Sequence, residues 1–306
     1  METQELKNTD YLKQLVMIAV FCLLGLMLFS AIGSILAYII YGIEITHPYN
    51  YTQLTGNELG ALKLIQGFSA VGLFIVPPLV FAKIISFRPT ELLGLTQKIS
   101  VTSTGLMVVI MLAMMPFLSF SISLNKALVL PEFMQGLELW MKASEEQAQQ
   151  LTTAFLNMNN FTDLLVMFTL VAIIPAIGEE LLFRGVLQQL FIGWNKKPHF
   201  SIWLTAIVFS ALHMQFYGFL PRMLLGVVFG YLFFWSKSLW LPILAHLFNN
   251  GLVVVLTYFY PEKYLENDLL EEQSEAMSNS WMVILSIAVT LGLMYWFKKR
   301  SELTIR

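Results

Sequence analysis

Residues 161–193 read FTDLLVMFTLVAIIPAIGEELLFRGVLQQLFIG. The run is long and apolar enough to cross a bilayer as a helix, which takes about 20 mostly apolar residues. Yet it carries Glu179, Glu180 and Arg184 well inside its length. Each ionisable side chain at the middle of a membrane helix costs roughly 2.5 to 3.5 kcal/mol on insertion scales, so such residues point to function by default.

Working outward, further apolar segments lie at roughly 15–40, 61–85, 103–124, 200–217, 220–236, 239–260 and 281–297, which makes about eight spans in all. Composition agrees: 57% of the 306 residues are hydrophobic, 12% are charged and the mean hydropathy is +0.69, against about 25% charged in soluble domains. The expected fold class is an all-α polytopic membrane protein, one integral membrane domain over residues 1–306, with no repeat or linker that divides it. A formal net charge of -2 gives no reason to expect a nucleic-acid partner. The lone Cys22 rules out an intramolecular disulfide framework and a thiolate metal cluster. The first segment is too long for a cleaved signal core and reads as a retained helix.

Lys and Arg collect in cytoplasmic loops. Lys7 and Lys13, then Lys83, Arg88 and Lys98, then Lys196 and Lys197, Lys237, and finally Lys298, Lys299 and Arg300 all fall on one side if eight helices alternate. The 41–60 loop, free of Lys and Arg, and the acidic 261–280 loop fall on the other. The expected location is a bacterial inner membrane with both termini cytoplasmic. Residues 131–160 differ, because Leu137, Trp140, Met141, Ala148, Leu151 and Phe155 recur at helical spacing among charged and amide side chains. That pattern predicts an amphipathic helix along the outer surface, a connector or a lid over a site entrance. Pro77, Pro78, Pro116, Pro175 and Pro242 are expected to kink their helices and free carbonyls that neighbours must satisfy.

Two other segments carry polar groups: IVFSALHMQF, with His213, and LPILAHLFNNGLVVV, with His246, Asn249 and Asn250. Glu180 and Arg184 are four apart, hence on one helix face and able to pair, whereas Glu179 is turned about 100° away and is free to face something else. His246 and Asn250 are likewise four apart. At about 1.5 Å per residue the carboxylate and both imidazoles reach compatible depths, in the cytoplasmic half of the bilayer or near its middle. Such a set suits polarising water and receiving a developing negative charge.

GEELLFR resembles the EExxxR motif of the CAAX protease and bacteriocin-processing (CPBP, or Abi) family; FSALH resembles its FxxxH motif and HLFNN its HxxxN motif, in family order. The likeness covers about residues 161–255. It implies an intramembrane, glutamate-dependent endopeptidase built on the fourth, fifth and seventh helices, acting on a membrane-embedded or membrane-associated peptide without a cofactor. By motif position, Glu179 would activate water, His213 would help to hold and orient it, and His246 and Asn250 would donate to the oxyanion. Glu180 and Arg184 would be supporting residues. Two alternatives stand beside this reading. One is a zinc protease using Glu179, His213 and His246 as ligands, although no HExxH helix is present. The other is a non-catalytic membrane protein, either a proton-relaying transporter or an immunity or scaffold factor.

Overall fold

The computed structural model describes residues 10–43, 54–128, 130–262 and 280–304. Half of the 41–60 loop and nearly all of the acidic 261–280 loop lie outside the described residues, as does Lys7. Every regular element among the described residues is helical. In chain order they are α1 (Tyr11–Tyr41), α2 (Gly56–Ile85), α3 (Val101–Ala113), α4 (Met115–Lys126), α5 (Gln135–Leu156), α6 (Phe161–Asn195), α7 (Pro198–Ala211), α8 (Phe219–Ser236), α9 (Trp240–Phe259) and α10 (Ser280–Thr304).

Six of these helices are long and apolar enough to cross a membrane, and the bent pair α3 and α4 makes a seventh if read as one span. The remaining apolar helix, α7, has 14 residues, about 21 Å at helical rise against a hydrocarbon core of about 30 Å. The molecule is an all-α polytopic integral membrane protein. Its outer surface is apolar, with Leu23, Met27, Ile35 and Ile39 of α1 and Ile284 and Leu291 of α10 all more than half exposed. That is the reverse of a soluble surface and is what contact with acyl chains requires.

The internal prolines are accommodated in three ways. Pro77 and Pro175 each follow a widened π turn, at Val71–Ile75 and Phe168–Ile173, so the helix restarts with the proline in its first turn and continues. Pro116 breaks the chain into α3 and α4 at 41°. The Ser286 hydroxyl of α10 repairs that break, donating to the Ala113 carbonyl at 2.6 Å and accepting from the Phe117 amide at 3.3 Å. Pro242 produces no kink, contrary to the sequence-based expectation: it lies in the first turn of α9, where an amide would have no intrahelical acceptor.

Two apolar clusters frame α6. One joins Ile18 of α1, Phe81 and Ala82 of α2, Leu181, Leu182 and Phe183 of α6, Phe209 of α7 and Ile243 of α9. The other joins α3, α8, α9 and α10 through Met107, Ile110, Phe229, Leu241 and Phe297. Between them α6 is held on several sides, and its polar turn is carried into the interior.

Helix α5 leaves Leu137, Leu139 and Trp140 exposed and buries Phe155 and Leu156 at its C-terminal end. Its middle rests on the short 3-10 turn Phe216–Gly218 that joins α7 to α8, where the Trp140 and Phe216 rings lie 5.4 Å apart.

Candidate active site

The polar turn of α6 sits between two π turns, Phe168–Ile173 and Phe183–Leu187. Such widened turns are frequent at functional sites because they redirect side chains within a helix. Here Glu179 and Glu180 point in different directions. Glu180 and Arg184 are wholly buried and pair at 2.7 Å, as their four-residue spacing predicts. The Arg184 guanidinium also donates to the Gly226 carbonyl of α8 at 2.9 Å and lies against the rings of Phe209 and Phe229.

One turn on, Gln188 repeats the arrangement, donating to the Gly230 carbonyl at 3.1 Å. Gly226 and Gly230 make room for these two side chains. A Cβ on Gly230 would lie 2.8 Å from the Gln188 oxygen, and one on Gly226 would lie 3.3 Å from Arg184 and 3.1 Å from Ala206. Close packing of small residues is how membrane helices approach without a hydrophobic driving force between them.

Glu179 faces two imidazoles. Its Oε2 lies 3.9 Å from Nε2 of His213 and 3.9 Å from Nε2 of His246, and this buried oxygen has no hydrogen-bond partner among the described residues. Both rings are anchored through their other nitrogen. His213 Nδ1 lies 2.8 Å from the Phe209 carbonyl, which can only accept, so Nδ1 carries the proton. His246 Nδ1 lies 2.9 Å from Glu180 Oε1. That oxygen already accepts from Arg184, so it is acceptor-only as a carboxylate and again Nδ1 carries the proton. Nε2 of each ring therefore faces Glu179, as a bare lone pair wherever the imidazole is neutral.

Helices α6 and α9 and the turn that follows α7 thus bring Glu179, His246 and His213 together, with Glu180 and Arg184 behind His246. Asn250 is placed differently. Its amide donates to the Val171 carbonyl at 3.0 Å, and its oxygen accepts from Asn249 at 3.1 Å. Val171 is four residues before Pro175, whose ring nitrogen has no proton to give it. Asn250 thus supplies a partner for a carbonyl that the proline frees. Among the described residues no three His, Cys, Asp or Glu side chains converge closely enough to hold a metal ion.

Two residues at the site were given no role in the sequence, Phe209, the first residue of FSALH, and Arg222, which lies outside the motifs. Phe209 orients His213 through its carbonyl, and its ring also lies against the rings of Phe183, His213 and His246. Its position four before His213 was the available signal. Arg222, in the first turn of α8, is half-buried and bonds only to Gln215, at 2.7 Å to the side chain and 3.3 Å to the backbone oxygen. A cation within the apolar 220–236 segment was itself the signal.

An all-helical membrane fold that gathers a buried glutamate pair, a buried arginine, a buried histidine and a second, partly exposed histidine defines a class of membrane-embedded polar sites. Residues 161–252 match the family model described as type II CAAX prenyl endopeptidase Rce1-like. The matched stretch, under a third of the chain, holds Glu179, His213 and His246, and it is in this stretch that the chain is similar to that family.

Among curated proteins, the chain is similar to the membrane-embedded CAAX protease MroQ of Staphylococcus aureus (strain USA300), 36% identical over 98 residues, which are 30% of this chain and 39% of that protein. It is also similar to YdiL of Bacillus subtilis (strain 168), 27% identical over 124 residues, 40% of this chain and 49% of YdiL. The matched stretches span less than half the length of each of these relatives. No solved structure matches.

Proposed function

We propose that this protein is an intramembrane peptidase in which Glu179 activates the attacking water on a membrane-associated peptide. The observation that carries this reading is the Glu179 Oε2 atom standing 3.9 Å from two anchored imidazole nitrogens. That separation is too long for a direct hydrogen bond, and in this reading a water between the carboxylate and the imidazoles bridges it. Such a water has two protons to donate, whereas the carboxylate and two bare Nε2 atoms are three acceptors. One of the three must therefore bring a proton of its own, and the trio works with one shared proton.

In the hydrolytic step Glu179 takes a proton from the water as the oxygen attacks the scissile carbonyl. An imidazolium at His246, backed by Glu180 and Arg184, donates to the oxyanion. The proton held by Glu179 then passes to the departing amine as the C–N bond breaks. His213, locked by Phe209, orients the water. Asn250 has a second amide proton beyond the one given to Val171, and this is the one an oxyanion would take. Preorganised donors act most strongly where water is scarce, and burial of the Glu180–Arg184 pair supplies such a setting.

A zinc mechanism uses the same three side chains, and imidazoles anchored through Nδ1 by a carbonyl and a carboxylate are also what zinc ligands show. The glutamate reading is preferred because coordination through Glu179 would consume the base. The deciding experiment compares new peptide termini in membranes of cells carrying the wild type and Glu179→Gln. Termini that depend on Glu179 support the reading. Identical sets from two equally expressed proteins overturn it and leave a binding or immunity role.

A further inference from the structure

Arg222 is a cation in the membrane segment Phe216–Ser236, in the first turn of α8. Both features count against it: charge in the bilayer is costly, and the N-terminus of a helix carries the positive end of its dipole. An ion pair would offset the cost, yet among the described residues Arg222 forms none, and it donates instead to the neutral side chain and backbone oxygens of Gln215. Its guanidinium lies flat on the Phe216–Gly218 turn, where a Cβ on Gly218 would come within 2.9 Å of Nη2. Two of its five donors are engaged with Gln215, and the residue as a whole is only half-buried.

Two carboxylates are near enough for their charge to act on Arg222: Glu145 first, and Glu179 second. Glu179 is the proposed base. Glu145 belongs to α5, and its Oε2 accepts from the Tyr217 amide of the same turn at 3.4 Å. The chain's own surface helix therefore seats a carboxylate at the corner formed by Arg222 and the Tyr217 N–H. The contact is long for a hydrogen bond and short of an ion pair, so it is loosely made and exchangeable. His213, which faces Glu179, is two residues before Gln215, so the corner and the site share one loop.

We propose that Arg222 and the 216–218 turn form a carboxylate-binding corner beside Glu179 that receives an acidic group of the peptide substrate, its C-terminal carboxylate or an Asp or Glu side chain, in exchange for Glu145. This rests on the peptidase reading. The corner fixes how far the scissile bond lies from a negative charge and excludes peptides that lack one. Glu145 fills it between turnovers and competes with the substrate.

The test uses the full chain in lipid nanodiscs. A peptide spanning a Glu179-dependent cleavage found in the membrane comparison is synthesised in three forms: free acid, C-terminal amide, and free acid with its Asp and Glu changed to Asn and Gln. On the wild type, neutralising the recognised carboxylate should raise KM by about 10 to 100-fold, the loss expected for a hydrogen bond to a charged group, with kcat little changed. Which form suffers identifies the source as chain terminus or side chain. Arg222→Gln should raise KM for the acidic peptide to that of the neutral one and be indifferent to the swap, Arg222→Lys should recover part of the preference, and Glu145→Gln should lower KM for the acidic peptide alone.

Equal KM for all three peptides on the wild type overturns the corner even if Arg222→Gln fails to fold. A fall in kcat on every peptide with the charge preference intact makes Arg222 a support for the His213 loop. If the wild type and Glu179→Gln cleave nothing differently, it is the peptidase reading that fails, and the corner with it.

Discussion

Replacing Arg184 by Met isolates the buried network behind the site. Arg184 and Glu180 are both wholly buried, joined at 2.7 Å, and the guanidinium also holds the Gly226 carbonyl and lies between two phenylalanine rings. Methionine restores much of the volume, so the loss is electrostatic rather than a cavity. Glu180 keeps only the His246 Nδ1 proton at 2.9 Å. Breaking one side of a buried pair costs about 3–5 kcal/mol, because the remaining charge is left uncompensated. The expected outcome is a loss of that size in unfolding free energy, measured by denaturant titration in mixed micelles. The double variant Arg184→Met, Glu180→Gln removes both charges while Gln still accepts from His246, and it should regain at least about 2 kcal/mol of the loss, since replacing a buried pair with neutral groups is often close to neutral. Additive losses in the single and double variants would refute the reasoning and make the pair a packing feature without strong electrostatic coupling.

Glu179→Gln should lower turnover by about 100 to 10,000-fold while inserting and folding as the wild type does; near-normal cleavage removes Glu179 as the base. Asn250→Ala should cut kcat by about 100 to 1,000-fold with little change in KM, and should also cost about 1–3 kcal/mol by leaving the Val171 carbonyl without that partner. Lost stability with intact kcat would confine Asn250 to the carbonyl that Pro175 frees. Purified protein should contain no stoichiometric zinc and keep its activity through extended chelation; about one zinc per chain, lost and restored together with activity, promotes the zinc mechanism. Gly230→Leu should displace Gln188 and separate α6 from α8, seen as lower expression and melting temperature, whereas Gly105→Leu, with nothing within 4 Å of its Cβ position, should not.

Much of the site was legible because helix geometry is local and rigid. The four-residue step from Glu180 to Arg184 dictates their pairing wherever the helix lies, and the 100° turn between Glu179 and Glu180 dictates that the two carboxylates leave the helix in different directions. What the sequence left open depends on distances between helices. That Asn250 meets Val171 follows from how α9 lies against the π turn before Pro175. That Ser286 repairs the break at Pro116 joins residues 169 apart in sequence. Arg222 was readable by the same rule that drew attention to Glu179, a charge in an apolar run, but it stands outside the three motifs and its setting emerges only when α5 and the 216–218 turn are in place.

The two adjacent glutamates explain why the polar turn needs a widened helix on both sides. Glu180 must reach inward to Arg184 and His246, while Glu179 must stay clear of every direct partner and still face two imidazoles. The π turns at Phe168–Ile173 and Phe183–Leu187 let the segment between them be set by its own contacts. The inward glutamate is satisfied within the core, and so its neighbour can remain unsatisfied at the edge of the cleft. An unpaired carboxylate there is tolerable only because the Glu180–Arg184–His246 network holds the helix in place. The reactivity proposed for Glu179 and the stability supplied by Glu180 are two consequences of one turn of α6.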